Sequence, residues 1–119
     1  LFPGFVEGPL LDELFSHCYL YVHPSEVEGL SLSILEAMSY GRCCLVSDIP
    51  ENIEAVADTG FTFGNKNVDD LEDRLSWLLG RPETVAAVGP GAKERVRQHF
   101  CWESITDHIE QLYHRLLDR

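Results

Sequence analysis

Basic residues are nearly absent from the first half of this chain. Residues 1–60 hold ten acids and one base, Arg42, and the whole sequence carries 20 Asp and Glu against 9 Lys and Arg, a net charge of −11. Nucleic acids are thereby excluded as partners, because phosphate backbones are bound through clustered Lys and Arg. A phosphate ligand in the first half would need backbone amides, or cations from outside the chain. No apolar run approaches the ~20 residues of a membrane span, and no signal-peptide pattern occurs. The four cysteines, Cys18, Cys43, Cys44 and Cys101, form no C-x-x-C pair. They read as reduced, mostly buried thiols of a cytoplasmic protein. The five histidines share no metal-ligand spacing with them, so no metal ligand is assigned. The single Met is Met38 and the chain opens on Leu-Phe-Pro-Gly, which reads as part of something longer.

What remains is an ordinary globular composition, 45% hydrophobic and 24% charged over 119 residues, enough for one domain with a core. Leu10, Leu11, Leu14 and Phe15 recur at helical spacing. Tyr19 to Val22 is a compact apolar run ended by His23-Pro24-Ser25, as expected of a buried parallel strand. A loop over 25–30 feeds a helix from about Ser31 to Tyr40, stopped by Gly41. Cys43 to Val46 predicts a second strand, Pro50 to Ala57 a short helix, and Gly60 to Phe63 a third strand. Asn67 can cap a helix over Val68–Leu79, with Asp69 and Asp70 favourable in its first turn. Pro82 opens another helix, which Pro90 and its glycine neighbours are expected to break before it resumes over Lys93–His99. A closing amphipathic helix runs from about 102 to 117, with Ile105, Ile109, Leu112, Tyr113 and Leu116 on one face. The alternation predicts an α/β fold, a Rossmann-like parallel sheet flanked by helices, which binds ligands at the carboxyl ends of its strands.

The chemistry concentrates between His23 and Gly41. A loop bearing Glu28 and Gly29 leaves a strand's carboxyl end and runs directly into a helix. The first turn of that helix offers unpaired N–H groups and a partial positive charge, the amide-based anion site that a base-poor segment requires. Gly29 permits close backbone approach. Glu36 lies inside the helix, roughly 7–8 Å along the axis from those amides. A nucleotide-sugar with its diphosphate at the helix start could span this gap, one carboxylate accepting from ribose hydroxyls and the other from sugar hydroxyls. By spacing alone, a loop Glu and a helix Glu are equally what a solvated surface provides.

Glu28-Gly-Leu-Ser-Leu-Ser-Ile-Leu-Glu36 resembles the E-x7-E motif of retaining GT-B glycosyltransferases, in particular the large family 4 (group 1). The family form reads P-S-x-x-E-G-F-G-L-x-x-L-E-A-M-A-x-G-x-P-V-V. Pro24, Ser25, Glu28, Gly29, Leu32, Leu35, Glu36, Ala37, Met38 and Gly41 match it. Ser47-Asp48-Ile49-Pro50-Glu51-Asn52-Ile53-Glu54 is similar to the family's S-D-x-P-x-x-x-E stretch, and Phe100-Cys-Trp-Glu103 to its F-S-W-E signature. The resemblance covers essentially the whole chain. It implies that residues 1–119 are a C-terminal nucleotide-sugar-binding domain, truncated on its N-terminal side, with a closing helix at about 102–117.

The resemblance further implies the site. Glu28 would sit at the donor sugar and its transferred centre. Gly29 and the amides of Leu30, Ser31 and Leu32 would hold the distal phosphate, Glu36 the ribose, and the backbone at Phe5 and Val6 would lie near the base. The implied reaction moves a sugar from a nucleoside-diphosphate sugar to an acceptor hydroxyl with retention, without cofactor or metal, in carbohydrate biosynthesis. The acceptor-binding N-terminal domain, the family's diphosphate-neutralising Arg and Lys, and any peripheral attachment to the inner face of a membrane would lie outside this chain, leaving the fragment inactive alone. Leu30 stands where the family has Phe, Ser31 where it has a second Gly, and Cys43 where it has Pro; no carboxylate is lost.

Two other classes compete with this reading. A non-catalytic nucleotide- or protein-binding α/β module would use the same fold. A phosphorylase-like or nucleotide-sugar epimerase relative would need, respectively, a pyridoxal-phosphate lysine, for which Lys66 and Lys93 lack the context, or a G-x-x-G-x-x-G loop with a Tyr-x-x-x-Lys pair, which does not occur.

Overall fold

The structure, a computed structural model, describes residues 1–117. Three strands, β1 (Tyr21–His23), β2 (Cys44–Ser47) and β3 (Phe61–Phe63), form a parallel sheet in the order β1-β2-β3. Their register pairs Tyr21 with Cys44, His23 with Val46, Leu45 with Phe61 and Ser47 with Phe63, so all three strands end along one edge. Every residue of β2 is buried, as a central strand demands. Cys44 and Val46 join a core cluster with Phe15, Ile34, Leu35, Met38 and Val56, while Cys43 and Leu45 join a second with Phe63, Leu78 and Val85. Alternation along β2 thus feeds the two faces of the sheet. This is the α/β architecture expected.

The helices are α1 (Pro9–His17), α2 (Leu32–Ser39), α3 (Pro50–Val56), α4 (Val68–Leu79), α5 (Pro82–His99) and α6 (Trp102–Leu117). Local signals set several of their ends. Asn67 Oδ1 accepts from the Asp70 amide at 3.0 Å and starts α4. At the far end of α2, Gly41 takes φ 70°, its N–H reaches Met38 O at 2.8 Å and the Arg42 N–H reaches Ala37 O at 3.0 Å. These two bonds are the Schellman closure, which only a residue at ease with positive φ completes without strain.

Two expectations are corrected. The first strand begins at Tyr21, two residues late, because the Tyr19 hydroxyl is drawn across the sheet to Leu78 O at 2.8 Å. Pro90 does not break its helix: α5 runs unbroken from Pro82 to His99. Proline removes one ladder bond and crowds the preceding turn, costing ~3 kcal/mol. The helix persists because its halves are anchored on different layers. Val85 and Val88 pack in the Leu45 cluster, Ala92 and Val96 in the Cys44 cluster. Helix α6 forms where expected, yet none of its described residues is buried. Ile109, Leu112, Tyr113 and Leu116 remain exposed, so that face is left uncovered by the described residues.

Candidate functional site

The loop after β1, the turn after β2 and the loop after β3 leave the same edge of the sheet. A buried polar knot ties the first two together. Ser47 Oγ donates to Ser25 O, and Asn52 Nδ2, at the start of α3, lies 3.1 Å from Ser25 Oγ and 2.9 Å from Ser47 Oγ. Asn52 is fully buried and its Oδ1 has no protein partner among the described residues. The third loop is joined to the second by Asp48 Oδ1, which accepts from the Asn65 amide at 2.7 Å. The stretch carrying Glu28 is therefore pinned at its root. A Cβ built on Gly29 would meet nothing within 4 Å.

Helix α2 begins at Ser31, the N-cap residue, which is nearly buried but makes no side-chain capping bond. Its hydroxyl turns instead to Ser33 Oγ at 3.1 Å and toward His23 Nε2 at 3.4 Å. The side chain that could have satisfied the first amides of α2 leaves them available, and their partial charge favours an anion. Glu28 is half-buried beside this tip, with Oε1 2.7 Å from His23 Nε2. Glu36, on the outer face of α2, is exposed.

The Tyr21 phenol is pushed above its ordinary value, first by burial, with the nearby Cys44, Glu36 and Glu28 charges adding to the rise. Glu28 and the start of α2 thus meet around His23 at the carboxyl edge, and Glu36 follows further along the same helix. Phe5 and Val6 do not join them: they lie in the extended stretch before α1, Phe5 exposed and Val6 half-buried, with no hydrogen bond to the cluster.

Sequence reasoning missed His23 and Tyr21. The signal was there, since residues two apart on a strand face the same way, and Tyr21 and His23 set two polar tips on one face at the end of β1. Arg42 stays at the opposite edge, its guanidinium bonded to Tyr40 O at 3.2 Å and Cys18 O at 3.4 Å. It lines a recess of about 320 Å³ there, with Cys18 and Pro82. Lys66 does reach the carboxyl edge, 3.0 Å from Glu26, beside a recess of about 180 Å³ floored by Phe63 and Leu71. Neither Glu28 nor Glu36 lines that recess. Among the described residues no group of three or more His, Cys, Asp or Glu is placed to hold a metal ion, and no helix is long and apolar enough to cross a membrane.

Residues 1–95 match the sequence model of the family described as glycosyl transferases group 1. The chain belongs to that family. A sulfoquinovosyl transferase of Arabidopsis thaliana is 34% identical over 116 residues, which cover 92% of this chain and 22% of the relative. An N,N'-diacetylbacillosaminyl-diphospho-undecaprenol α-1,3-N-acetylgalactosaminyltransferase of Campylobacter jejuni is 33% identical over 109 residues, 90% of this chain and 28% of that protein. Among solved structures, sucrose-phosphate synthase from Thermosynechococcus elongatus superposes with a TM-score of 0.81 at 27% identity, over 92% of this chain and 28% of that one. The chain therefore spans between a fifth and three-tenths of the length of these group 1 glycosyltransferase relatives. Over the matched part, its parallel sheet and flanking helices share the fold of that sucrose-phosphate synthase.

Proposed function

We propose that residues 1–119 supply most of the donor site of a glycosyltransferase that moves a sugar from a nucleoside-diphosphate sugar to an acceptor hydroxyl with retention. The observation that carries this reading is the uncapped start of α2, with Glu28 beside it and Glu36 further along the same helix. The amides of Leu30, Ser31 and Leu32 receive the distal phosphate, with Gly29 keeping the approach open. Glu28 accepts hydrogen bonds from the donor sugar and favours positive character at the anomeric carbon. Glu36, exposed to a ligand lying along α2, accepts from the ribose hydroxyls. Phe5 and Val6 lie toward the base in this reading.

Charge building on the leaving diphosphate is the main obstacle to the reaction, and fixed donors aimed at it are the main remedy. The helix amides give one half of that stabilisation. The other half, in a segment with Arg42 turned to the opposite edge, comes from cations of a part of the protein outside these residues, together with the acceptor-binding domain. The transfer needs no cofactor and no metal in this scheme, and the 119-residue chain alone binds nucleotide weakly and turns nothing over. Any attachment to the inner face of a membrane falls to the outside part as well.

The test is made in the full-length protein. A thermal-shift panel of UDP-glucose, GDP-mannose and ADP-glucose identifies the donor base, and Glu28→Gln and Glu36→Ala are assayed with the sugar that shifts most. Replacing an ionised acceptor of a ligand hydrogen bond costs ~1.5–3 kcal/mol, so each variant should lose roughly tenfold to a hundredfold or more in kcat/KM. Near-normal turnover in either variant removes that residue from the site.

A further inference from the structure

We propose that His23 is a positioning residue, which holds one oxygen of Glu28 so that the other is presented to the donor. The inference rests on the donor-site reading above and adds to it a residue outside the E-x7-E motif. Glu28 sits on an irregular loop between β1 and α2, where a carboxylate without a partner would sample several rotamers. His23 sits on β1, which pairs with the buried central strand. Its side chain is 17% exposed and that of Glu28 27%, so their contact is largely shielded from water. The 2.7 Å separation of Nε2 and Oε1 is in the range of charge-assisted bonds.

The imidazole is itself held. Its ring stacks on Tyr21, with centroids 5.9 Å apart at 24°, and its Nδ1 lies 3.2 Å from the Tyr21 hydroxyl. Tyr21 in turn packs on Phe15, centroids 5.7 Å apart, in the core. In the neutral ring Nδ1 accepts from Tyr21 and Nε2 donates to Glu28. A line of contact therefore runs from the hydrophobic core through Tyr21 and His23 to Glu28 Oε1. Oε2 has no protein hydrogen bond among the described residues, which leaves its acceptor capacity for the donor in this reading. Pre-set geometry of this kind is worth most in the transition state, where small misplacements are costly.

The full-length protein tests this with the nucleotide-sugar selected by the thermal-shift panel. His23→Ala should lower kcat on the order of 100-fold with little change in KM for the donor. His23→Gln, whose amide nitrogen reaches near the place of Nε2, should restore much of the loss. Tyr21→Phe should fall between wild type and His23→Ala. A residue needed only for folding would not separate Ala from Gln in kcat while leaving KM in place. Equal turnover of the two His23 variants, or full activity of His23→Ala while Glu28→Gln is impaired, overturns the positioning role and leaves the donor site standing. Full activity of Glu28→Gln overturns both. Should His23→Ala fail to fold, long-range nitrogen–proton correlations of the His23 ring in the wild-type protein decide: hydrogen on Nε2 with Nδ1 bare supports the proposal, and hydrogen on Nδ1 with Nε2 bare overturns it.

Discussion

Gly89 sits where α5 crosses the end of α2, and Gly89→Ala should destabilise the protein even though alanine is the better helix former. Within a helix the exchange ordinarily gains roughly 0.5–1 kcal/mol. Here a Cβ on residue 89 would overlap the carbonyl oxygen of Gly41 and stand 3.1 Å from its carbonyl carbon. Both partners are backbone, so no rotamer relieves the contact; α2 or α5 must move. Forcing an extra carbon into a filled contact costs roughly 1–3 kcal/mol, and the rigid case belongs at the upper end. The balance is a loss of about 2 kcal/mol, which at this chain length lowers Tm by roughly 6–12 °C. Gly91 supplies the control inside the same helix. A Cβ there would meet only Thr59 Cγ2, at 3.5 Å, which is ordinary contact. Gly91→Ala should therefore raise Tm by a few degrees. Thermal melts of the two variants read opposite signs. Equal shifts, or a Gly89→Ala protein as stable as wild type, would refute the claim that α2 and α5 touch through their glycine backbones.

Burial holds the Cys43 thiol up at about 11 and that of Cys44 at about 12. Both are raised above the ordinary 9.0, so the folded state keeps its protons longer than the unfolded chain. The stability this contributes is complete below about pH 9 and is lost as pH climbs toward 11 to 12, and a urea midpoint that falls less steeply with pH in Cys44→Ala than in wild type is the check. At about pH 8 a thiol reagent should modify Cys101 and Cys18, both partly exposed, while Cys43 and Cys44 react only after denaturation. Asn67→Ala removes the side-chain cap of α4 and should cost about 1 kcal/mol, read as a lower Tm; Asn67→Asp, which keeps an acceptor there, should melt close to wild type.

Elements whose ends are set by neighbouring residues were legible in the amino-acid sequence. Helix α4 runs from Val68 to Leu79 as its Asn67 cap and acidic first turn indicate, and α2 stops where Gly41 lets it. Three strands separated by helices follow from short apolar runs and their breakers. Pro90 shows the limit of such reasoning. The local rule against proline is sound, but Val85 on one layer and Ala92 on the other outweigh it, and neither layer is visible along the chain. The closing helix shows another limit: its apolar face is plain in the periodicity, while its lack of cover among the described residues is not.

Residue type and spacing were enough for the α/β alternation, the order of elements along the chain, and the placing of Glu28 and Glu36 on either side of a helix start. Those are properties of backbone geometry over a few residues, where side-chain type and spacing act directly. Packing in three dimensions was needed to settle that Ser31 declines to cap its own helix and that Glu28 meets His23. Each depends on how a loop closes against a sheet, and loop closure answers to packing from all sides rather than to any period in the chain.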